Sequence, residues 1–284
     1  MKSSRKAEPL AKKAARAAAK PSRLAGVDDF DASWGSFPTA FRGKGTLPSP
    51  WGEIFGPLRG AANEMLIIGQ FGQSIDARIA TAGGDSHYIN GAAGLAHLHR
   101  LRALVDAVVV GIGTALADDP QLTVRRAAGP NPARVVIDPN GRLPSSARLL
   151  AADGVRRLLL TDERTPSQLP GDVEIVRLRR RDGHIAPASI LAALAARGFR
   201  RILIEGGADT VSRFLAADCL DRLHVVIAPI IIGSGPASVT LPPIARLEHA
   251  LRAPMCCHVL GDEVLLDCDL GAQRIAVGVA KKSR

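Results

Sequence analysis

From Met65 onward, short β-branched apolar runs alternate with longer segments whose apolar residues recur at helical spacing. Met65–Ile68, Ala107–Val110, Arg134–Ile137, Arg157–Leu160, Glu174–Leu178, Arg201–Ile204, Leu223–Ile227 and Glu263–Asp267 predict strands. Gly94–Leu104, with Leu95, Leu98, Leu101 and Val105 near one face, predicts a helix, as do Pro187–Arg197 and Asp209–Ala217. Such alternation predicts an α/β fold of three αβα layers, a mixed and mostly parallel sheet with helices on both faces. The apolar region Leu223–Ile232 is long enough to form a sheet edge or to lie centrally.

The pattern fails before Met65. Residues 1–25 are Ala, Lys and Arg with Ser and Pro and have no apolar face, which predicts a basic disordered tail. Residues 26–60 hold both tryptophans, Trp34 and Trp51, among breakers such as Leu47-Pro48-Ser49-Pro50 and Phe55-Gly56-Pro57. Long helices or strands are not expected there. An extension strapped by aromatic anchors onto a main domain at 61–284 is.

Composition sharpens this picture. Apolar residues make up 46% of the chain and aromatics only 4%, so the core must be aliphatic, as sheet and covering helices require. No apolar run approaches the length of a membrane span, and the tail lacks the apolar stretch of a secretory signal. Cys219, Cys256, Cys257 and Cys268 match neither a zinc ribbon nor a disulfide framework, so reduced thiols and a cytoplasmic location are expected. The net charge of +10 is concentrated in the tail, where eight Lys and Arg face one Glu in the first 23 residues. Nucleic acid is therefore expected to bind weakly at most, through that tail.

Two glycine turns carry the candidate chemistry. Arg201–Ile204 runs through Glu205 into Gly206-Gly207-Ala208-Asp209-Thr210, an apolar strand opening a helix, where bare backbone and free N–H groups suit a cofactor phosphate. Spacing alone fits equally well an ordinary turn capped by Asp209. The run Val110-Gly111-Ile112-Gly113-Thr114 resembles the start of a Rossmann fingerprint. Leu116 stands where a third glycine would be, and Asp118-Asp119-Pro120 cuts short any crossover helix. Thr114, Asp118 and Arg125 then read as polar groups on a loop at a strand end. His97 and His99, two apart on a predicted helix, do not form a metal pair.

Specific resemblance enters with Gly69-Gln70-Phe71-Gly72-Gln73-Ser74-Ile75-Asp76-Ala77-Arg78-Ile79-Ala80, Gly84-Asp85-Ser86-His87-Tyr88-Ile89-Asn90-Gly91, Leu101-Arg102, the 111–125 run, Val135–Pro139, Ile204–Gly207 and Ala228–Gly233. In this order, over about residues 65–270, they resemble the reductase domain of the bifunctional deaminase/reductase of riboflavin biosynthesis. The resemblance implies a dihydrofolate-reductase-like fold and NADPH-dependent reduction, with hydride passing to the ribose C1′ of a phosphoribosylamino-uracil. It implies NADPH contacts from Gly72, Tyr88, Thr114, Asp118 and the turn Gly206, Gly207, Ala208, Asp209, Thr210 and Val211. Ser86, Arg102, Leu122, Arg125 and Glu205 are implied to line the phosphorylated substrate, with Asp118 the candidate for handling the proton and Arg125 or bound water able to share that role. Arg142, just past the Val135–Ile137 strand, is placed either to meet the cofactor's 2′-phosphate or to be an ordinary solvated loop arginine. A homodimer is implied as well.

The chain departs from the pattern at Gln70, where the family commonly has lysine, and at Ala77, where it commonly has glycine. Gln70 keeps open a reductase of another pyrimidine- or pterin-like substrate. A non-catalytic nucleotide- or nucleic-acid-binding protein is the rival from another class. The deaminase signature, His-x-Glu with Pro-Cys-x-x-Cys, does not occur, so no catalytic zinc is expected.

Overall fold

The β-branched runs assemble into nine strands of one sheet: β1 (Leu66–Gln73), β2 (Ala107–Gly111), β3 (Ala133–Ile137), β4 (Arg157–Asp162), β5 (Glu174–Leu178), β6 (Arg201–Glu205), β7 (Arg222–Ile227), β8 (Met255–Leu260) and β9 (Glu263–Asp269). The computed structural model describes residues 22–23, 33–60, 64–86, 89–166 and 169–275. Strand order is β8-β9-β7-β1-β6-β2-β3-β4-β5, with Ser22–Arg23 pairing parallel to the outer side of β8. The seven strands from β7 to β5 run parallel, and the β8–β9 hairpin closes the sheet antiparallel. This is the fold expected from the alternation and from the resemblance.

Alternate positions of each strand feed two cores. One face, with Ile68, Val108, Val110, Val136 and Leu203, packs against α3 (Ala92–Leu104) and the aromatic residues that precede the sheet. The other, with Ile67, Val109, Val135, Ile202 and Ile204, packs against α5 (Pro187–Ala195) and α6 (Ala208–Ala216). Residues 33–60 contribute α1 (Phe37–Arg42) and α2 (Trp51–Phe55), two helices no longer than the breakers allow. Trp34, Phe37, Trp51 and Phe55 are buried together, Trp34 stacked on Phe37 and edge-on to Trp51 and Phe55; the Trp34 indole donates to the Ala128 carbonyl at 2.7 Å, and Phe55 stacks on His97 of α3.

The start of α3 is capped from far away in sequence. Gly91, its N-cap, has no side chain, and the orphan amides are met by buried Glu263 of β9. Its carboxylate accepts from Gly91 N (3.0 Å), Gly94 N (2.6 Å) and Asn90 Nδ2 (2.8 Å).

Several expectations need correction. β1 does not stop at Ile68, because Gly69 and Gly72 remain paired with β7 rather than breaking the strand. Gly111–Asp118 is not a loop: α4 (Ile112–Asp118) forms and is ended by Asp119 in the left-handed conformation, just before Pro120. Strand β8 was missed, since Met255, Cys256 and Cys257 are exposed and give no alternation. Leu223–Ile232 is strand only to Ile227 and lies between β1 and β9, so it cannot pair edge to edge with another molecule. No helix among the described residues is long and apolar enough to cross a membrane.

Candidate active site

Chain direction gathers the carboxyl ends of β1, β6 and β2 at one rim of the sheet, where open α/β folds hold ligands. A cleft of about 570 Å³ opens there. Its floor is Gln70, Phe71 and Gly72 of β1 with Glu205, and Leu95 and Leu98 of α3 form an apolar wall. Thr114, Ala117 and Asp118 of α4 face it from one side and Gly206–Thr210 from another, while Ser86 and Asn90 stand at the entrance.

Gly206 and Gly207 both have positive φ, +65° and +48°, the region L-residues avoid. A Cβ on Gly207 would come within 2.7 Å of Thr114 Oγ1, so the turn and α4 meet only because the side chain is missing. The turn delivers the chain into α6 with its first amides open to the cleft, beside the hydroxyls of Thr114 and Thr210. Bare backbone, helix start and two hydroxyls suit the pyrophosphate of a dinucleotide. At Gly72 a Cβ would overlap Asn90 Oδ1, so β1 also runs bare under the entrance.

Ten of the expected site residues therefore line the cleft: Gly72, Thr114, Asp118, Gly206, Gly207, Ala208, Asp209, Thr210, Ser86 and Glu205. Tyr88 lies outside the described residues. Val211 sits beneath the turn, fully buried among Ile67 and Phe214 in the core, and supports the turn from below.

The other expected substrate residues are placed differently. Arg102 is buried and each nitrogen of its guanidinium donates within the protein: Nε to Glu205 Oε2 (2.8 Å), Nη2 to Glu205 Oε1 (2.5 Å) and Nη1 to the Thr123 carbonyl (2.9 Å). Sequence spacing could not reveal that two residues expected to face a ligand separately are each other's partner. Leu122 is 1% exposed and packs in the core with φ +55°, off the cleft. Arg125 is exposed and does not line the cleft. Its backbone N–H donates to His99 Nδ1 (2.8 Å) and its Nη1 to Thr123 Oγ1 (2.7 Å). Burial, then Arg102, Arg148 and Arg126, lower the Arg125 pKa from its ordinary value. Burial likewise, with Arg102, Arg125 and Arg126, holds the His99 imidazole at about 3, so it is a neutral acceptor for the Arg125 amide.

Sequence reasoning gave no role to Asn90, which lines the cleft, and missed Glu263, which accepts from the Asn90 amide, and the wall residues Leu95 and Leu98, which look like ordinary core positions. It also left unread a buried chain beside the cleft. His97 Nε2 lies 3.0 Å from His224 Nδ1, His224 Nε2 lies 3.1 Å from Asp267 Oδ1, and Arg222 donates twice to Asp267 (2.8 and 2.6 Å). Burial raises the Asp267 pKa, but its contacts with His224 and Arg222 outweigh this and hold the carboxyl well below the usual range. Burial, helped by His224 and Arg100, lowers that of His97.

The sheet order, with its cleft at the carboxyl ends of the parallel strands, is that of the dihydrofolate-reductase-like α/β class. Within that class, the RibD C-terminal domain family matches residues 65–259, and the chain belongs to it: it is a reductase of the riboflavin-biosynthesis type. A 2,5-diamino-6-ribosylamino-4(3H)-pyrimidinone 5′-phosphate reductase of Methanothermobacter thermautotrophicus is 33% identical over 205 residues, 68% of this chain and 93% of that protein. The riboflavin biosynthesis protein RibD of Mycobacterium tuberculosis is 33% identical over 187 residues, 64% of this chain but 48% of its own length. The chain thus spans about half the length of such RibD relatives. Among solved structures, a diaminohydroxyphosphoribosylaminopyrimidine deaminase/5-amino-6-(5-phosphoribosylamino)uracil reductase from Thermotoga maritima superposes with a TM-score of 0.63 at 26% identity, over 72% of this chain and 56% of that one.

Proposed function

We propose that the chain uses NADPH to reduce a 5-phosphoribosylamino-pyrimidine of riboflavin synthesis, either 5-amino-6-(5-phosphoribosylamino)uracil or its 2-amino counterpart. The observation that carries this reading is the double-glycine turn beside Thr114 at the head of α6, opening onto the floor of the same cleft. NADPH supplies a hydride. The chain holds its pyrophosphate with Gly206–Thr210 and Thr114, and keeps the reacting carbon out of water between Gly72, Leu95 and Leu98.

In the ring-opened sugar, C1′ is double-bonded to the pyrimidine amino nitrogen. Hydride adds to C1′, the C=N π pair goes to nitrogen, and a proton from Asp118 or from a water held by it completes the amine. The phosphate is met by Arg125, whose guanidinium offers the charge and paired N–H donors that a phosphate takes. Arg142 remains the candidate for the cofactor's 2′-phosphate. The chain works as a homodimer, a reading supported by the exposed apolar side chains of Ile231, Leu247 and Met255. A cytoplasmic location accords with free thiols at Cys256 and Cys257.

The test is NADPH oxidation followed at 1:1 stoichiometry with each of the two pyrimidines, and again with NADH. Turnover of at least one substrate with a preference for NADPH is expected. Turnover of neither overturns the reading.

A further inference from the structure

The run Val135–Pro139 takes no part in the cleft, yet its acid faces a space of its own. Asp138, just past the end of β3, lines a second cavity of about 350 Å³ that shares no residue with the cleft. Leu143, Leu159 and Leu169 form its apolar wall, on the face of the sheet that also carries α3, and exposed Ser145 stands at its rim.

Asp138 is 0% exposed. Its Oδ2 accepts from the Leu143 N–H (2.8 Å), whereas its buried Oδ1 accepts from nothing among the described residues. Thr161 of β4 follows the paired positions Ile137 and Leu160 just as Asp138 does, and it too is 0% exposed with an unpartnered Oγ1. A carboxylate held out of water with half of its accepting capacity unused is costly until a donor, above all a cationic one, meets it.

The lining also fixes the kind of ligand. Asp138 is the one ionisable side chain among the described residues of the cavity, so the site repels phosphates and carboxylates. A single acid with no histidine, cysteine or second carboxylate beside it is not a metal donor set, and no such cluster occurs among the described residues. The volume lies at the lower end of the range for small-molecule pockets, roughly 300–1,000 Å³. It leaves room for an apolar body behind a charged head.

We propose that this cavity binds a small organic cation, an ammonium or amidinium group carried on an apolar body. The head donates N–H to Asp138 Oδ1, and the body lies against Leu143, Leu159 and Leu169.

The test is calorimetric titration of the full chain with benzamidinium, and with benzamide and benzoate as the neutral and anionic forms of nearly the same shape. Benzamidinium is expected to saturate, at least about tenfold more tightly than either of the others, since a charge-assisted hydrogen bond is the stronger kind. Asp138→Asn keeps the acceptor for Leu143 N–H but removes the charge, and should weaken benzamidinium at least about tenfold. Ser145→Phe plugs the mouth from an exposed position and should weaken it as much with Tm unchanged, so the location is tested even if the Asp138 variant does not fold. No saturation by benzamidinium at millimolar concentration overturns the proposal, as does equal binding of benzamide or benzoate. So does an affinity left unmoved by Ser145→Phe or by a folded Asp138→Asn.

Discussion

The turn after β6 and the loop after α4 looked alike as ligand-binding candidates, yet they meet the cleft differently. Gly206–Thr210 is held between a central strand and a helix, and all five residues face the cleft. In the segment that follows Asp118, Leu122 is turned into the core and Arg125 out to solvent. The turn gets its left-handed backbone from glycines, whereas the loop puts Asp119 (φ +38°) and Leu122 (φ +55°) in that region. A short turn between rigid elements has its geometry set locally. A longer loop is set by what it leans on, here Arg102 and His99 of α3.

Arg102 joins the two regions, since its guanidinium ties Glu205 at the turn to the Thr123 carbonyl of the loop. Arg102→Met leaves a buried carboxylate without its partner, which costs about 3–5 kcal/mol and lowers Tm by roughly 10 °C. Arg102→Met with Glu205→Leu should recover most of that loss, because the desolvated charge goes with its partner. Thermal unfolding of the two single variants and the double variant measures the coupling. Singles that unfold like the wild type would make this pair a ligand site rather than a strut.

The turn itself is tested at Gly207. Gly207→Ala places a Cβ against Thr114 Oγ1 and forces an L-residue to φ +48°, a strain of about 1–2 kcal/mol. NADPH affinity should weaken about tenfold or more by fluorescence titration, with a smaller fall in Tm. Equal affinity would move the cofactor away from this turn.

The loop responds instead to pH, through His99. Its folded-state value of about 3 lies below the ordinary 6.5, so the unfolded chain binds the extra proton between those values. The stability it contributes is fully present above pH 6.5 and is lost as pH falls toward 3. His97, whose pKa is also lowered, acts in the same sense. Urea midpoints between pH 7 and 4 should fall in the wild type and fall less steeply in His99→Gln. Identical slopes would detach His99 from the loop.

These cases separate what the sequence makes legible from what it does not. The parallel sheet was readable because Val108–Val110 or Ile202–Ile204 are too short and too uniformly apolar to be anything but buried strands. The double glycine was readable because only a special backbone calls for it. Glu263 was not, since nothing near it in the chain says that it caps a helix 169 residues away in sequence. Arg102 and Glu205 were legible as polar residues near strand ends, but a pairing across 103 residues leaves no local trace.

Ala77 gives the smallest effect, and it tests whether left-handed positions without glycine carry strain. It sits at φ +58° in an exposed turn, with its N–H donating to the Ser74 carbonyl and its carbonyl accepting from Ser238 N–H. Its methyl group adds no core packing, so Ala77→Gly removes the steric cost of the left-handed backbone, about 1–2 kcal/mol, against the greater chain entropy of glycine, about 0.5–1 kcal/mol. The net should be a gain of about 0.5–1 kcal/mol, a rise in Tm of roughly 1–4 °C by calorimetry, with NADPH affinity unchanged. A fall in Tm would mean that the surrounding hydrogen bonds, rather than the residue, set this turn, and the same conclusion would then extend to Asp119 and Leu122 in the loop.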